Sequence, residues 1–164
     1  DDAEPIFPPT LRPDISAGKL ATSPGPSNWR FRVPDGETIS FIDSIHGAQS
    51  FTAGKDFGDF LIWRKDGMPA YELAVVADDH AMQINQVVRG ADLLKSTARQ
   101  ILIYRALNWP IPNWTHTKLV NDSSGKRLSK RAAGLSIQEL RHQGFTPDEI
   151  LNTPIEKLIS KKSF

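Results

Sequence analysis

Positive charge is concentrated in residues 125–131, which read Gly-Lys-Arg-Leu-Ser-Lys-Arg. A flexible loop with several cations can wrap a polyphosphate and neutralise the negative charge that develops on it during a displacement reaction. The segment is not a Walker-type phosphate loop, because it has no Gly-Lys-Ser/Thr with a glycine at the required distance before it. By itself, the pattern fits a solvated surface loop more simply than a ligand site.

A second candidate site combines Tyr71 and Arg89. A guanidinium can hold a carboxylate through two parallel hydrogen bonds, which suits recognition of an amino acid. Arg89 could instead pair within the protein with Asp79 or Asp92. By spacing alone, this internal ion pair is the simpler interpretation.

No pattern in the sequence indicates a metal site. The chain has no cysteine, and its histidines show neither a close pair nor a metal-ligand spacing. The four histidines are His46, His80, His116 and His142. We expect His80, beside Asp78 and Asp79, to be a hydrogen-bonded histidine. Ser129 has no neighbouring His/Asp set, which disfavours a hydrolytic nucleophile.

Composition limits the class of protein. A chain of 164 residues fits one domain, or one and a part, and a net charge of +1 gives no global basic field. The absence of cysteine suits a reducing cytoplasm. No apolar run approaches the length of a membrane span, and the acidic first residues do not resemble a signal peptide. We expect a cytoplasmic protein without a membrane partner.

The elements that must position these residues follow an α/β pattern. Residues 73–77 are apolar on both faces, which predicts a buried strand. Asp78 and Asp79 would then lie at its carboxyl end, where open α/β sheets bind ligands. Residues 86–89 and 116–120 predict two further short strands.

Two β-hairpins are predicted before or around that strand. The first joins residues 29–33 to residues 38–42, and the second joins residues 60–63 to residues 71–77. After them, Thr97 is the predicted N-cap of a helix.

The predicted helix is ended by Pro110 and Pro112. Short helices follow in the C-terminal part, because three capping-box pairs and a stop glycine occur there. These are Ser136 with Glu139, Thr146 with Glu149, Thr153 with Glu156, and Gly144.

Four segments resemble the glutamyl-tRNA synthetase family in their order and spacing: residues 71–79, 88–94, 96–100 and 127–131. The first reads Tyr-Glu-Leu-Ala-Val-Val-Ala-Asp-Asp, and the last reads Arg-Leu-Ser-Lys-Arg. The likeness implies the second half of a Rossmann-like class I synthetase catalytic domain, with a β-hairpin insertion and a short helical C-terminal segment.

The resemblance also implies roles for individual residues. The second family signature, Lys-Met-Ser-Lys-Ser, corresponds to Arg127, Leu128, Ser129, Lys130 and Arg131. By this likeness, Lys130 would contact ATP, carried as its Mg²⁺ complex, and stabilise the departing pyrophosphate. Tyr71 and Arg89 would hold the substrate glutamate, and tRNA would accept it.

The subfamily stays open at this point. Residues 6–12 resemble a loop of the glutamyl-queuosine tRNA(Asp) synthetases, which attach glutamate to a modified anticodon base. In many of those enzymes the loop provides zinc ligands, but Phe7 and Leu11 stand at those positions here, so we expect no zinc ligand in this chain. Residues from 133 onward instead resemble ordinary glutamyl-tRNA synthetases.

The chain has no first family signature, His-x-Gly-His, and nothing like the preceding Rossmann half. We therefore expect an N-terminal half of the catalytic domain as a partner, and no glutamate activation by this chain alone. The expected segments are a proline-rich loop and hairpin insertion (1–57), the second Rossmann half (58–131) and a helical segment (132–164). The alternatives are a fragment of an ordinary glutamyl-tRNA synthetase and a non-catalytic tRNA-binding paralogue.

Overall fold

The computed structural model describes residues 5–14, 25–121, 136–154 and 157–158. The chain forms two compact units, Asp1–Thr117 and Lys118–Phe164. In the first unit the helices and strands occur in the order β1 (Trp29–Phe31), β2 (Thr38–Asp43), β3 (Gly47–Thr52), β4 (Phe60–Trp63), α1 (Tyr71–Ala81), β5 (Gln86–Gly90), α2 (Leu94–Ala106) and β6 (Asn113–Thr117). Among the described residues, no helix has the length and apolar content needed to cross a membrane.

A four-stranded mixed sheet organises the first unit, in the order β3-β2-β6-β5. β2 and β3 form an antiparallel hairpin, whereas β6 runs parallel to both β2 and β5. Helix α2 packs on the sheet and contacts α1. The core between them contains Ile39 from β2, Val76 from α1 and Ile101 from α2. This mixed α/β architecture confirms the predicted fold class.

The buried strand predicted at residues 73–77 is wrong, because these residues lie in helix α1. A short continuous apolar run has no periodicity that separates a buried strand from a buried helix. As a helix, the segment buries Glu72 and Val76, which lie four residues apart on one face. Asp78 and Asp79 therefore lie near the end of a helix and not at the carboxyl end of a strand.

The predicted hairpin partners are also wrong, although the strands themselves form. β1 pairs with β4 in a separate two-stranded ribbon, and β2 pairs with β3. A turn does follow β4, but it leads into α1. Turn residues therefore indicated where the chain turns but not the partners, because β2 pairs with the next strand along the chain and β1 with the more distant β4.

The elements around Arg89 are closer to prediction. β5 confirms the strand predicted at residues 86–89, and β6 begins and ends three residues before the predicted 116–120. Helix α2 begins at Leu94 and ends at Ala106, so Thr97 lies inside the helix and is not its N-cap. Thr97 is fully buried, which suits a side chain that bonds within the core.

The second unit contains two short helices among its described residues, α3 (Ile137–His142) and α4 (Pro147–Asn152). Ser136 and Thr146 cap them as predicted, since each hydroxyl accepts from the amide three residues later. Gly144 follows α3 with a φ of +89°, the left-handed conformation that stops a helix. The third predicted capping pair, Thr153 with Glu156, includes a residue outside the described ones.

Candidate functional site

Arg89 lies at the carboxyl end of β5, directly opposite His116 at the carboxyl end of β6. Parallel strands of α/β sheets present ligand-binding side chains at this edge. Arg89 Nε donates to His116 Nε2 at 3.1 Å, and the guanidinium carbon lies 4.9 Å from the centre of the Trp114 ring. The side chain is half-buried, so the cation is held in a defined place between the sheet and α2.

Helix α2 provides further partners for this cation. Arg89 Nη1 donates to Gln100 Oε1 at 2.9 Å, and Nη2 donates to Thr97 Oγ1 at 2.7 Å. All of these acceptors are uncharged. The hydrogen bonds therefore fix the guanidinium without neutralising its charge.

Among the residues that the structure describes, no carboxylate contacts the Arg89 guanidinium. None of the ion pairs formed by the described residues involves Arg89, so the internal pair with Asp79 or Asp92 suggested by the spacing is not formed. Burial lowers the pKa of Arg89, while Tyr71 and Glu72 act to raise it. A partly desolvated cation of this kind gains stability when an anion binds.

Tyr71 and Arg89 lie close together, since Tyr71 influences the Arg89 pKa both through charge and through hydrogen bonding. Tyr71 is the first residue of α1 and is half exposed. Asp79 is near enough to raise the Arg89 pKa as well, and its own pKa is raised, chiefly by burial. The two residues singled out by sequence thus share one site, although Tyr71 reaches it from a helix.

Sequence reasoning missed a buried acid–histidine pair behind Arg89. His116 Nδ1 donates to Asp43 Oδ2 at 2.7 Å, and both side chains are completely buried. Burial acts to raise the pKa of Asp43, but hydrogen bonds from His46 and His116 outweigh it and lower the pKa from 3.8 to about 2. Asp43 and His116 are 73 residues apart, so no local pattern could have joined them.

Asp43 leads to a prediction about stability and pH. A lowered carboxyl pKa stabilises the fold only where the carboxyl is ionised, and this contribution is lost as pH falls through the folded pKa. We expect the unfolding free energy of the unaltered chain, relative to Asp43→Asn, to be constant above about pH 4 and to shrink by about 2 kcal/mol towards pH 2. Urea unfolding across this pH range measures the difference. With the exposed Asp66→Asn as a control, a difference that does not change between about pH 4 and 2 would show the account of Asp43 to be mistaken.

A cavity of about 540 Å³ lies at the opposite ends of the strands, lined by residues that include His80 and Tyr104. His80 stacks on Trp109 with ring centres 3.9 Å apart. Tyr104 is 1% exposed, its hydroxyl has no hydrogen-bond partner among the described residues, and burial raises its pKa to about 12. No group of three or more acidic or histidine side chains in the described part of the chain could hold a metal ion.

The signature-like segment containing Lys130 falls outside the described residues, as do Arg127, Leu128, Ser129 and Arg131. Their predicted role with ATP remains a prediction from the sequence.

Comparison with known proteins identifies the family. A model of the class I tRNA synthetases for glutamate and glutamine, catalytic domain, matches residues 15–161. The chain belongs to this class I synthetase family. The family assignment confirms the resemblance found in the sequence, and class I glutamyl-tRNA synthetases are ligases.

Several family members are similar to this chain over part of their length. Glutamate–tRNA ligase 2 of Nitrosococcus oceani is 43% identical over 90% of this chain, which spans 32% of that protein. Glutamyl-Q tRNA(Asp) synthetase of Symbiobacterium thermophilum is 42% identical over 90% of this chain, which spans 46% of that protein. The chain therefore spans about a third to a half of these relatives.

Solved structures of the family agree with the fold. A crystal structure of a glutamate tRNA ligase from Elizabethkingia meningosepticum, in complex with its amino acid, superposes with a TM-score of 0.57 and 38% identity. The superposition covers 62% of this chain and 20% of that one. This likeness agrees with an α/β fold of the class I synthetase catalytic domain.

Proposed function

We propose that this chain forms one wall of the active site of an ATP-dependent enzyme that activates glutamate and transfers it to tRNA. The observation that carries the proposal is Arg89, a half-buried cation at the carboxyl ends of two parallel strands, which no carboxylate of the described residues contacts. A carboxylate offers two acceptor oxygens and a full negative charge to a guanidinium, whereas an amide offers one uncharged acceptor. Glutamate therefore suits Arg89 better than glutamine, and Tyr71, which acts to raise the Arg89 pKa, is near enough to contribute to the same site.

The other wall of the site is proposed to come from the rest of the polypeptide. The relatives are two to three times longer than the matched region. β5 is the last strand in its sheet and pairs only with β6 among the described residues, so its outer edge can accept another strand. Val88 on this strand is 62% exposed. We propose that an N-terminal half docks here and joins Arg89 to the site for ATP and its Mg²⁺, in the cytoplasm.

The finer proposal is a glutamyl-queuosine tRNA(Asp) synthetase. It is supported by the resemblance of residues 6–12 and by the relative from Symbiobacterium thermophilum. An ordinary glutamyl-tRNA synthetase is the competing proposal, supported by residues from 133 onward and by the relative from Nitrosococcus oceani. The tRNA that accepts glutamate distinguishes the two proposals. Transfer of radiolabelled glutamate by the complete polypeptide to queuosine-containing tRNA(Asp), and not to tRNA(Glu), is expected for the first type, and the reverse would establish the second.

Lys130 gives a prediction for the chemical step. If its ammonium group stabilises charge on the departing pyrophosphate, Lys130→Met should lower the rate of glutamate-dependent ATP–pyrophosphate exchange about 100-fold. The KM for glutamate should change little, because Lys130 would act on the phosphates. Lys65→Met, which removes an exposed lysine in the turn after β4, is the matched control and should leave the rate unaltered. Equal rates for the two variants would remove Lys130 from the proposed mechanism.

A further inference from the structure

The guanidinium of Arg89 is hydrogen-bonded through all three nitrogens before any substrate is present. Nε donates to His116 at 3.1 Å, Nη1 to Gln100 at 2.9 Å and Nη2 to Thr97 at 2.7 Å. A guanidinium has five N–H groups, so these three bonds leave N–H groups on the terminal nitrogens, beside Tyr71. The Leu93 carbonyl is 3.4 Å from Nη2, which is too long to compete with a charged acceptor. A carboxylate can therefore approach Arg89 end-on, through Nη1 and Nη2 together.

Asp43 determines which way the bond between His116 and Arg89 can form. Asp43 Oδ2 accepts from both the backbone amide and Nδ1 of His116, at 2.9 and 2.7 Å. The ring proton is therefore on Nδ1, and Nε2 of the neutral ring accepts from Arg89 Nε, with the Thr97 hydroxyl also 3.1 Å away from it. In the other tautomer, His116 Nε2 would carry the proton, and its N–H would face the N–H of Arg89 Nε. The carboxylate thus sets the orientation of a guanidinium that it does not touch.

Gln100 holds the Nη1 nitrogen of the guanidinium, and a carboxylate fixes the orientation of Gln100 in turn. Its Nε2 donates to Glu72 Oε2 at 2.7 Å, which directs its Oε1 towards Nη1 of Arg89. Glu72 also accepts from the Ser96 hydroxyl at 2.8 Å, so its position is fixed by two helices. The Trp114 ring covers one face of the guanidinium. Together these contacts fix both the plane of the cation and its rotation within that plane.

We propose that Asp43 and His116 form a positioning pair that sets the affinity for glutamate by holding the Arg89 guanidinium in the orientation that receives the carboxylate. The inference rests on the proposed function of Arg89. A guanidinium that is held in place loses less conformational freedom when the substrate binds, and small misplacements of a binding group are costly. Asp43 and His116 are completely buried, so they act through Arg89 and are not catalytic residues.

Asp43→Asn tests this inference most sharply. The asparagine carbonyl can still accept from the amides of Ile45 and His46, as Asp43 Oδ1 does. Its NH₂ group replaces the Oδ2 acceptor, so the bond from the His116 backbone amide is lost. The NH₂ can only donate to His116 Nδ1, which moves the ring proton to Nε2. That nitrogen then opposes the N–H of Arg89. We expect the KM for glutamate to rise about 10-fold, while the KM for ATP stays within about twofold.

Companion variants separate positioning from a purely structural role. His116→Gln can place an acceptor oxygen near the position of Nε2 and should keep the KM for glutamate within about threefold of the unaltered enzyme. Gln100→Leu removes the second support and should raise that KM about 10-fold, which keeps the test available if Asp43→Asn does not fold. His80→Phe, which keeps a ring against Trp109, is the control and should have no effect on either KM.

The measurement is glutamate-dependent ATP–pyrophosphate exchange by the complete polypeptide, with glutamate and ATP varied in turn. An unchanged KM for glutamate in both Asp43→Asn and Gln100→Leu would overturn the inference. Equal rises in the KM for glutamate and the KM for ATP would also overturn it. If the unaltered polypeptide shows no exchange either with or without tRNA, the proposed function is overturned, and the inference with it. The two failures are therefore distinguishable by the unaltered enzyme.

Discussion

Replacing Arg89 by methionine is expected to lower kcat/KM for glutamate about 10³-fold in the complete polypeptide, with little change in the KM for ATP. Methionine keeps an unbranched apolar side chain but removes the charge and every N–H that a carboxylate could use. The loss should be large because Arg89 is partly desolvated and its hydrogen-bond acceptors among the described residues are neutral, so the substrate would provide the compensating charge. Steady-state exchange kinetics measure the effect.

Arg89→Lys refines this prediction. Lysine restores the positive charge but has neither Nε nor the planar fork, so it cannot bond His116 and a carboxylate in the same way. An intermediate loss of about 30-fold is expected. Arg64→Met serves as the matched control, because Arg64 is an exposed arginine paired with Asp66. If Arg89→Met and Arg64→Met had the same kcat/KM for glutamate, Arg89 could not be the carboxylate-binding residue.

Arg12→Met is expected to reduce the unfolding free energy by about 3–5 kcal/mol. The Arg12 side chain is 9% exposed and forms a two-bond pair with Asp59, with Nε–Oδ2 and Nη2–Oδ1 distances of 2.7 Å. It also bonds Asp35, and the hydrogen bonds to Asp35 and then to Asp59 raise the Arg12 pKa. Removing Arg12 leaves the Asp59 carboxylate, 4% exposed, with the Val33 amide as its remaining described donor. An uncompensated buried charge explains the size of the loss.

A double-mutant cycle gives the control for this effect. Asp59→Asn removes the charge that Arg12→Met would leave behind, so the double variant should lose less stability than the sum of the two single variants. Arg105→Met removes an exposed ion pair with Glu37 and should cost no more than about 1 kcal/mol. Urea unfolding of the unaltered protein, the two single variants and the double variant measures the coupling energy between Arg12 and Asp59. Strict additivity within about 0.5 kcal/mol would mean that the Arg12–Asp59 pair contributes no specific stability.

The sequence predicted those parts of the fold that have strong local signals. Thr146 and Glu149 form the expected capping box, and Gly144 takes the left-handed conformation that ends the preceding helix. These features depend on residues three or four positions apart, which sequence patterns describe well. β5 was found for a similar reason, because residues 86–89 form a short segment with two β-branched residues, and the strand ends one residue later at Gly90.

Features set by tertiary contacts were not predictable in the same way. The apolar residues 73–77 fit either a strand or a helix, and the helix forms because Glu72 can then bond Ser96 and Gln100 on α2. The Asp43–His116 pair depends on β2 and β6 becoming neighbours in the sheet. Family resemblance indicated Arg89 and Tyr71, but the buried groups behind them had no motif of their own.

The most direct test of the central claim is ATP–pyrophosphate exchange by the complete polypeptide, with L-glutamate or L-glutamine and with or without tRNA. The account predicts exchange that depends on glutamate and not on glutamine. Exchange without tRNA supports the glutamyl-queuosine type, whereas exchange only after addition of tRNA(Glu) supports an ordinary glutamyl-tRNA synthetase. Exchange that is absent with glutamate under both conditions would contradict the account and favour a non-catalytic tRNA-binding paralogue.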